Sequence, residues 1–503
     1  MHLPITTPFA KLPESYGVLP GTCLFDVLDF SSSFQDPHTL LELSGEYDVL
    51  KTRSRTPRAR ACALHPNVKN LLDKNAPGVW WWATVQDDVP SLEGPSVEPS
   101  VSEPTLSREE VSRVLSKDAF SHRVNSITGV QRYDGTQLAS NSPCEDRFIH
   151  GKFTSPWNDS DKWMSWAVFD GHAGWQTAHL LTKQLLPFVQ QNLGQIKASA
   201  DGSSSNELVQ HAIMKAFVDL DDSIIETALA TSQSKMSLQE KAKKLAPAYA
   251  GSCALLSLYD SLTSTLHVAC TGDSRAVLGQ KGPDGKWKAI PLSVDQSGRN
   301  EDEIARLYKE HPGEETIVKD GRVLGIMVSR GFGDSRWKWP LEFQQKMKDH
   351  FNGPAPLTPR YDVRTPPYLT AEPVVTSTKI DPSQPSFLIM ATDGLWDNIS
   401  SEQGVDLVGK WLESPQDRKN NPDPTYEPFD FGQFHKGVDW RFVEERTTIQ
   451  DENAAVHLVR NCLGGNHHEL LAGRLAFDSP FSRHVRDDIT VQVVFFNAGD
   501  KPS

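Results

Sequence analysis

A carboxylate, a glycine and an imidazole stand side by side in Asp170-Gly171-His172, directly after the apolar run Trp166-Ala167-Val168-Phe169. A buried strand that breaks at Asp-Gly leaves the acid at its end, and the glycine lets other backbone approach closely. The imidazole that follows is a candidate proton donor. One such triplet is an ordinary turn, but here the device recurs. Glu145 and Asp146 precede Arg147-Phe148-Ile149, and Asp273 follows the run Leu266–Cys270 in Thr271-Gly-Asp-Ser-Arg275. Asp393 ends Phe387–Thr392, and Asp487-Asp488 stand immediately before Ile489–Phe496.

If these strands pair, the acids gather at one sheet edge. Carboxylates crowded at partial burial repel one another unless they splay into water or share a cation. Hard oxygen ligands suit Mg²⁺ or Mn²⁺. Two such ions about 3.5–4 Å apart share a carboxylate and activate a bridging water for attack at phosphorus. His172 beside them would protonate the departing oxygen. The chemistry this suggests is hydrolysis of a phosphate ester.

The elements that must position these groups are mixed. Ser252–Tyr259 with Thr265–Cys270, and Ala276–Gln280 with Trp287–Leu292, read as two hairpins, while Ser386–Thr392 and Ile489–Phe496 read as further buried strands. Helical patterns are expected at about 174–193, 206–230, 298–310, 400–413 and 450–463, and a capping sequence opens order near Thr105-Leu-Ser-Arg-Glu-Glu. Hairpins with long amphipathic helices and no regular β-α-β alternation argue for an α+β protein. The segments at about 335–366 and 414–447 are polar and rich in Pro and aromatics, and read as surface loops, the first as a flap beside the site.

Of the 503 residues, 38% are hydrophobic and 23% charged, a composition that supports a large core. A net charge of −14 argues against a nucleic-acid partner, and no apolar run is long enough to cross a membrane. Six scattered cysteines without a Cys-x-x-Cys pair read as buried, reduced thiols, Cys144 among them. Residues 1–105 read as an N-terminal extension with a Pro/Ser/Glu-rich linker from Pro90 to Pro104, after which order resumes, and 498–503 as a tail. The first fifty residues are acidic, unlike a basic presequence, and the basic cluster Lys51, Arg53, Arg55, Arg58, Arg60 reads as a linker.

Taken together the motifs resemble the metal-dependent protein phosphatase family (PPM, protein phosphatase type 2C). They are Asp170-Gly-His-Ala-Gly174, the Gly251–Ala254 strand, Gly272-Asp-Ser-Arg275, Ser329-Arg-Gly-Phe-Gly-Asp334, Thr370-Ala-Glu-Pro373, Thr392-Asp-Gly-Leu-Trp-Asp397 and Arg486-Asp-Asp-Ile-Thr490. The resemblance spans roughly residues 106–497 and implies a central antiparallel β-sandwich flanked by helices on both sides, a four-layer α-β-β-α fold. It implies two Mg²⁺ or Mn²⁺ ions, with Asp170 bridging, Asp393 and Asp487 completing one site and the Gly171 carbonyl serving the other. Glu145 and Asp146 would hold metal waters, Asp273 with Asp393 a weaker third ion, and His172 would be the general acid. Where many members carry a phosphate-clamping arginine, this chain has Asn141, a substitute phosphate contact. That position, with Arg330–Trp339, Pro366–Pro373 and Asn453–Arg460, is similar to the mitochondrial pyruvate dehydrogenase phosphatase branch.

The function implied is a serine/threonine protein phosphatase, with the pyruvate dehydrogenase complex as a candidate substrate and the mitochondrial matrix, or else the cytoplasm, as its compartment. The rivals are a catalytically silent phosphatase-like scaffold and a hydrolase of small phosphate esters. Asp334, Asp397 and Arg275 read as turn caps or mutual partners, Asp488 as a hydrogen-bonding neighbour, Arg330 as a salt-bridge residue, and His467-His468 as a solvated loop.

Overall fold

The computed structural model describes residues 106–158, 161–197, 204–414 and 441–497. The expected extension at 1–105, Cys23, Cys62, most of the 414–447 segment and the 498–503 tail lie outside the described residues. All described residues belong to the compact unit Glu98–Ser503.

Among the described residues two antiparallel sheets carry the fold. One runs, edge to edge, Phe120–Arg123, Val130–Leu138, Ile489–Phe496, Ser386–Ala391, Arg275–Lys281, Trp287–Pro291. The other runs Val374–Lys379, Thr265–Thr271, Ala254–Asp260, Lys162–Phe169, Arg147–Thr154. Both expected hairpins are present, and the strands Ser386–Ala391 and Ile489–Phe496 pair with each other.

The sheets stack face to face, and each covers its outer face with helices. Along Lys162–Phe169, Trp163, Ala167 and Phe169 point to helices Gln176–Gly194, Asn206–Gln233 and Leu238–Tyr249, while Met164, Trp166 and Val168 point into the space between the sheets. In the other sheet Phe387, Ile389 and Ala391 meet helices Arg108–Leu115, Ser401–Glu413, Ala454–Leu463 and His468–Leu475, and Leu388 and Met390 face inward. Strands buried on both faces need apolar residues at every position, which is why they appear in the sequence as continuous runs rather than alternations. Gln492 marks the seam: its Nε2 donates across to the Ala167 carbonyl at 2.8 Å, so its amide nitrogen is satisfied where the two sheets meet. The result is the expected four-layer α-β-β-α architecture.

Ser107 closes the expected capping box with Glu110. Other local readings change. His467 is 3% exposed and its Nδ1 accepts from the Leu470 amide at a helix start, so the His467-His468 pair is not a solvated loop. Segment 335–366 contains the helix Leu341–Phe351, with Trp339 and Met347 buried against the second sheet's helices. Leu357 and Val363 from the same segment join Leu307, Ile317, Val323 and Leu369 in a satellite core. This packed body is fastened beside the Asp273 turn by Gln296, whose Oε1 accepts from the Gly272 amide at 2.8 Å.

Candidate metal and catalytic site

Register brings the scattered acids together. Arg147 pairs with Phe169, which places Glu145 and Asp146 beside Asp170. Ala254 pairs with Thr271, and the Cys253 amide donates to the Asp170 carbonyl at 2.9 Å, drawing Asp273 toward the same end. Ala391 pairs with both Arg275 and Val491, so Asp393 and Asp487 emerge at that end from the other sheet. Antiparallel pairing returns each strand end to its neighbour's start, and five sequence-distant acid positions thereby share one rim.

Asp170, Asp273 and Asp393 each offer an oxygen, and these oxygens lie within 4.8 Å of one another. Burial pushes Asp170 well above the usual carboxylate range, and Asp393, Asp146 and Asp273 push it further; Asp393 and Asp273 are also raised, first by burial. Oxygen ligands this close, each raised first by burial, are a set that a hard divalent cation would relieve. Gly171 fits the same reading, because a Cβ there would fall 2.3 Å from the Glu145 carbonyl oxygen, so only glycine brings the two backbones together.

Glu145 and Asp146 surround that group without joining it. Asp146 is 1% exposed and its Oδ2 accepts from the Thr490 and Thr392 hydroxyls, at 2.7 and 3.0 Å. Burial still raises it, with the Asp488 charge second. Glu145 is raised by burial as well. Asp487 stands at the rim, a third exposed, with Arg483 on its carboxylate.

His172 sits on the two-residue strand Gly171–His172, which pairs with Gly251–Ser252; that strand pairs in turn with Phe332–Gly333. The small sheet therefore sets His172 and Asp334 on either side of Gly251, and His172 Nε2 donates to Asp334 Oδ2 at 2.8 Å. Burial alone would lower the imidazole's pKa, and the Asp334 carboxylate outweighs it, so the net shift is upward. Asp334 thus belongs to the site, where the sequence reading made it a turn cap. The only local hint was its place in the glycine-rich Arg330–Asp334 stretch; its partner is far away in the chain.

Asp488 organises the opposite wall. It is 2% exposed, yet its carboxylate is held below the usual range because burial is offset by the amides of Glu145, Asn141 and Ser140 and by the Asn141 side chain. Asn141 Nδ2 donates to Asp488 Oδ2 at 2.9 Å, so the carboxamide proposed for phosphate is tied to this carboxylate. Arg330 is an internal salt-bridge residue, gripping Glu303, and Arg275 pairs with Asp295. Cys144 is half-buried with its thiol pushed far up by burial and the Asp488 charge, which suits a packing residue rather than a nucleophile.

Comparison with known proteins agrees with this geometry. The family model for Protein phosphatase 2C matches residues 134–422. A protein phosphatase 2C homolog of Schizosaccharomyces pombe is 42% identical over 374 residues, covering 73% of this chain and 81% of that protein. The mitochondrial [pyruvate dehydrogenase [acetyl-transferring]]-phosphatase 1 of Saccharomyces cerevisiae is 37% identical over 438 residues, covering 79% of this chain and 74% of its own. The Homo sapiens protein of the same name is 30% identical over 465 residues, covering 78% and 83%.

Proposed function

We propose a metal centre and a substrate from a plain premise: this chain belongs to the protein phosphatase 2C family and is a metal-dependent serine/threonine protein phosphatase. The observation that carries the proposal is the meeting of Asp170, Asp273 and Asp393 oxygens within 4.8 Å, with His172 two residues from Asp170.

In our reading Asp170 would serve both of two Mg²⁺ or Mn²⁺ ions, with Asp393 and Asp487 as further residues for one and the Gly171 carbonyl for the other. Glu145 and Asp146 would orient the water around them, and Asp273 with Asp393 would hold a third, weaker ion. Bound metal supplies Lewis acidity and an activated water at neutral pH. The chain's own residues do the rest. His172, held by Asp334, whose charge raises its pKa against the effect of burial, delivers a proton to the leaving Ser or Thr oxygen. Thr392 and Thr490 fix the orientation of Asp146, and Asp488 fixes the Ser140–Glu145 backbone through amide hydrogen bonds.

The substrate we propose is phosphorylated pyruvate dehydrogenase in the mitochondrial matrix, supported by the names of the Saccharomyces cerevisiae and Homo sapiens relatives. Among the described residues no helix is long and apolar enough to cross a membrane. The deciding assay compares phosphate release from phosphorylated pyruvate dehydrogenase and from unrelated phosphoproteins, with and without divalent metal. Equal rates on all substrates would remove the proposed specificity, and metal-independent rates would remove the proposed centre.

A further inference from the structure

Arg483 lies on the short turn Phe481–His484 and reaches into the acid rim from the chain's C-terminal segment. Its guanidinium pairs with Asp487, and its charge opposes part of the upward shift that burial gives Glu145 and Asp393, so it acts on three carboxylates from different parts of the chain. The side chain is 45% exposed and open to an incoming group. Asn141, by contrast, has its amide committed to Asp488.

A phosphate dianion approaching this rim meets carboxylates on every side. Metal ions offset part of that charge, but the oxygens that point away from the metals still need donors. A planar guanidinium with two parallel N–H groups matches them, and a half-exposed arginine already restrained by one carboxylate loses little freedom in doing so. We infer that Arg483 is the substrate-phosphate clamp of this enzyme, parked on Asp487 and turned to the phosphate oxygens of the phosphoserine or phosphothreonine substrate. No bond forms or breaks in this step; the guanidinium exchanges or shares acceptors. The inference rests on the metal-site reading above.

The test uses the full chain with Mn²⁺ and compares Arg483→Met and Arg483→Lys with wild type. Inorganic phosphate is the probe, read as its inhibition constant against phosphopeptide hydrolysis, and the unbound Mn²⁺ signal in electron paramagnetic resonance reads metal affinity without substrate. Arg483→Met should raise both the phosphate inhibition constant and the phosphopeptide KM about tenfold to a hundredfold, the loss of a charge-assisted bidentate contact. Arg483→Lys should recover part of that, while Mn²⁺ affinity stays within about threefold or tightens because Asp487 is released. A phosphate inhibition constant within twofold of wild type would overturn the proposal. So would a loss that vanishes at saturating Mn²⁺, because Arg483 would then act only by holding Asp487. A wild-type chain whose activity ignores Mn²⁺ would fail the metal-site reading itself, a result separable from the first two.

Discussion

His172 and Asp334, 162 residues apart in sequence, meet at 2.8 Å across the glycine that separates their strands. Asp334 is 1% exposed and sits at a positive φ of 47°, a conformation that a non-glycine residue keeps only when its surroundings hold it there. The pair fixes which imidazole nitrogen bears a proton and where that proton points, since a carboxylate can only accept.

Replacing Asp334 with Asn should therefore injure proton delivery more than binding. We expect kcat for a phosphoserine peptide to fall roughly tenfold to a thousandfold, within the range of a general-acid contribution. Hydrolysis of p-nitrophenyl phosphate, whose leaving group needs little help, should fall far less, as it should in His172→Ala. Equal losses on both substrates would make the pair structural.

Gly251 is the hinge of that arrangement. A Cβ there would fall 2.1 Å from His172 Nε2 and 2.4 Å from the Asp334 carboxylate oxygens. Gly251→Ala should thus reproduce the leaving-group signature of Asp334→Asn while metal binding persists. Wild-type kcat in this variant would show that the pair tolerates separation.

Asp170→Asn separates function from stability. Mn²⁺-dependent phosphate release should vanish, because one of the three converging carboxylates is lost. Without metal, the same change should stabilise the fold by about 1 kcal/mol, or roughly 2 °C in Tm, by relieving repulsion with Asp273 and Asp393. Added Mn²⁺ should raise the wild-type Tm and leave the variant's unmoved. Calorimetry with and without chelator decides it, and a variant less stable than metal-free wild type would contradict the repulsion.

Glu303 predicts the acid limb of stability. It is 4% exposed; burial alone would push its carboxyl up, but Arg330 and Arg306 more than offset this and hold it at about 2, against 4.5 ordinarily. A lowered folded-state pKa means stability that is fully present above pH 4.5 and is lost as pH falls toward 2. The share is about 3 kcal/mol. Glu303→Gln should cost about 3–5 kcal/mol at pH 7 by stranding the buried Arg330, and should flatten the loss between pH 4.5 and 2. Urea unfolding at a series of pH values checks both.

Residue types and order were enough for much of this. Strand ends bearing Asp170, Asp273, Asp393 and Asp487 are visible in sequence because an apolar run broken by Asp-Gly or preceded by Asp-Asp is a local signal. Five helices, among them Gln176–Gly194 and Asn206–Gln233, are visible as well through their 3.6-residue periodicity, whereas Leu238–Tyr249 is not among the expected spans. The helix Leu341–Phe351 was hidden because its flanks are polar and its buried face is short, Gln344 and Met347 alone being buried along it. Only tertiary structure joined Asp334 to His172 and Asp488 to Asn141. Hydrogen bonds and ion pairs between distant segments leave no periodic trace, since strand register and the fold of a two-residue strand decide which side chains meet.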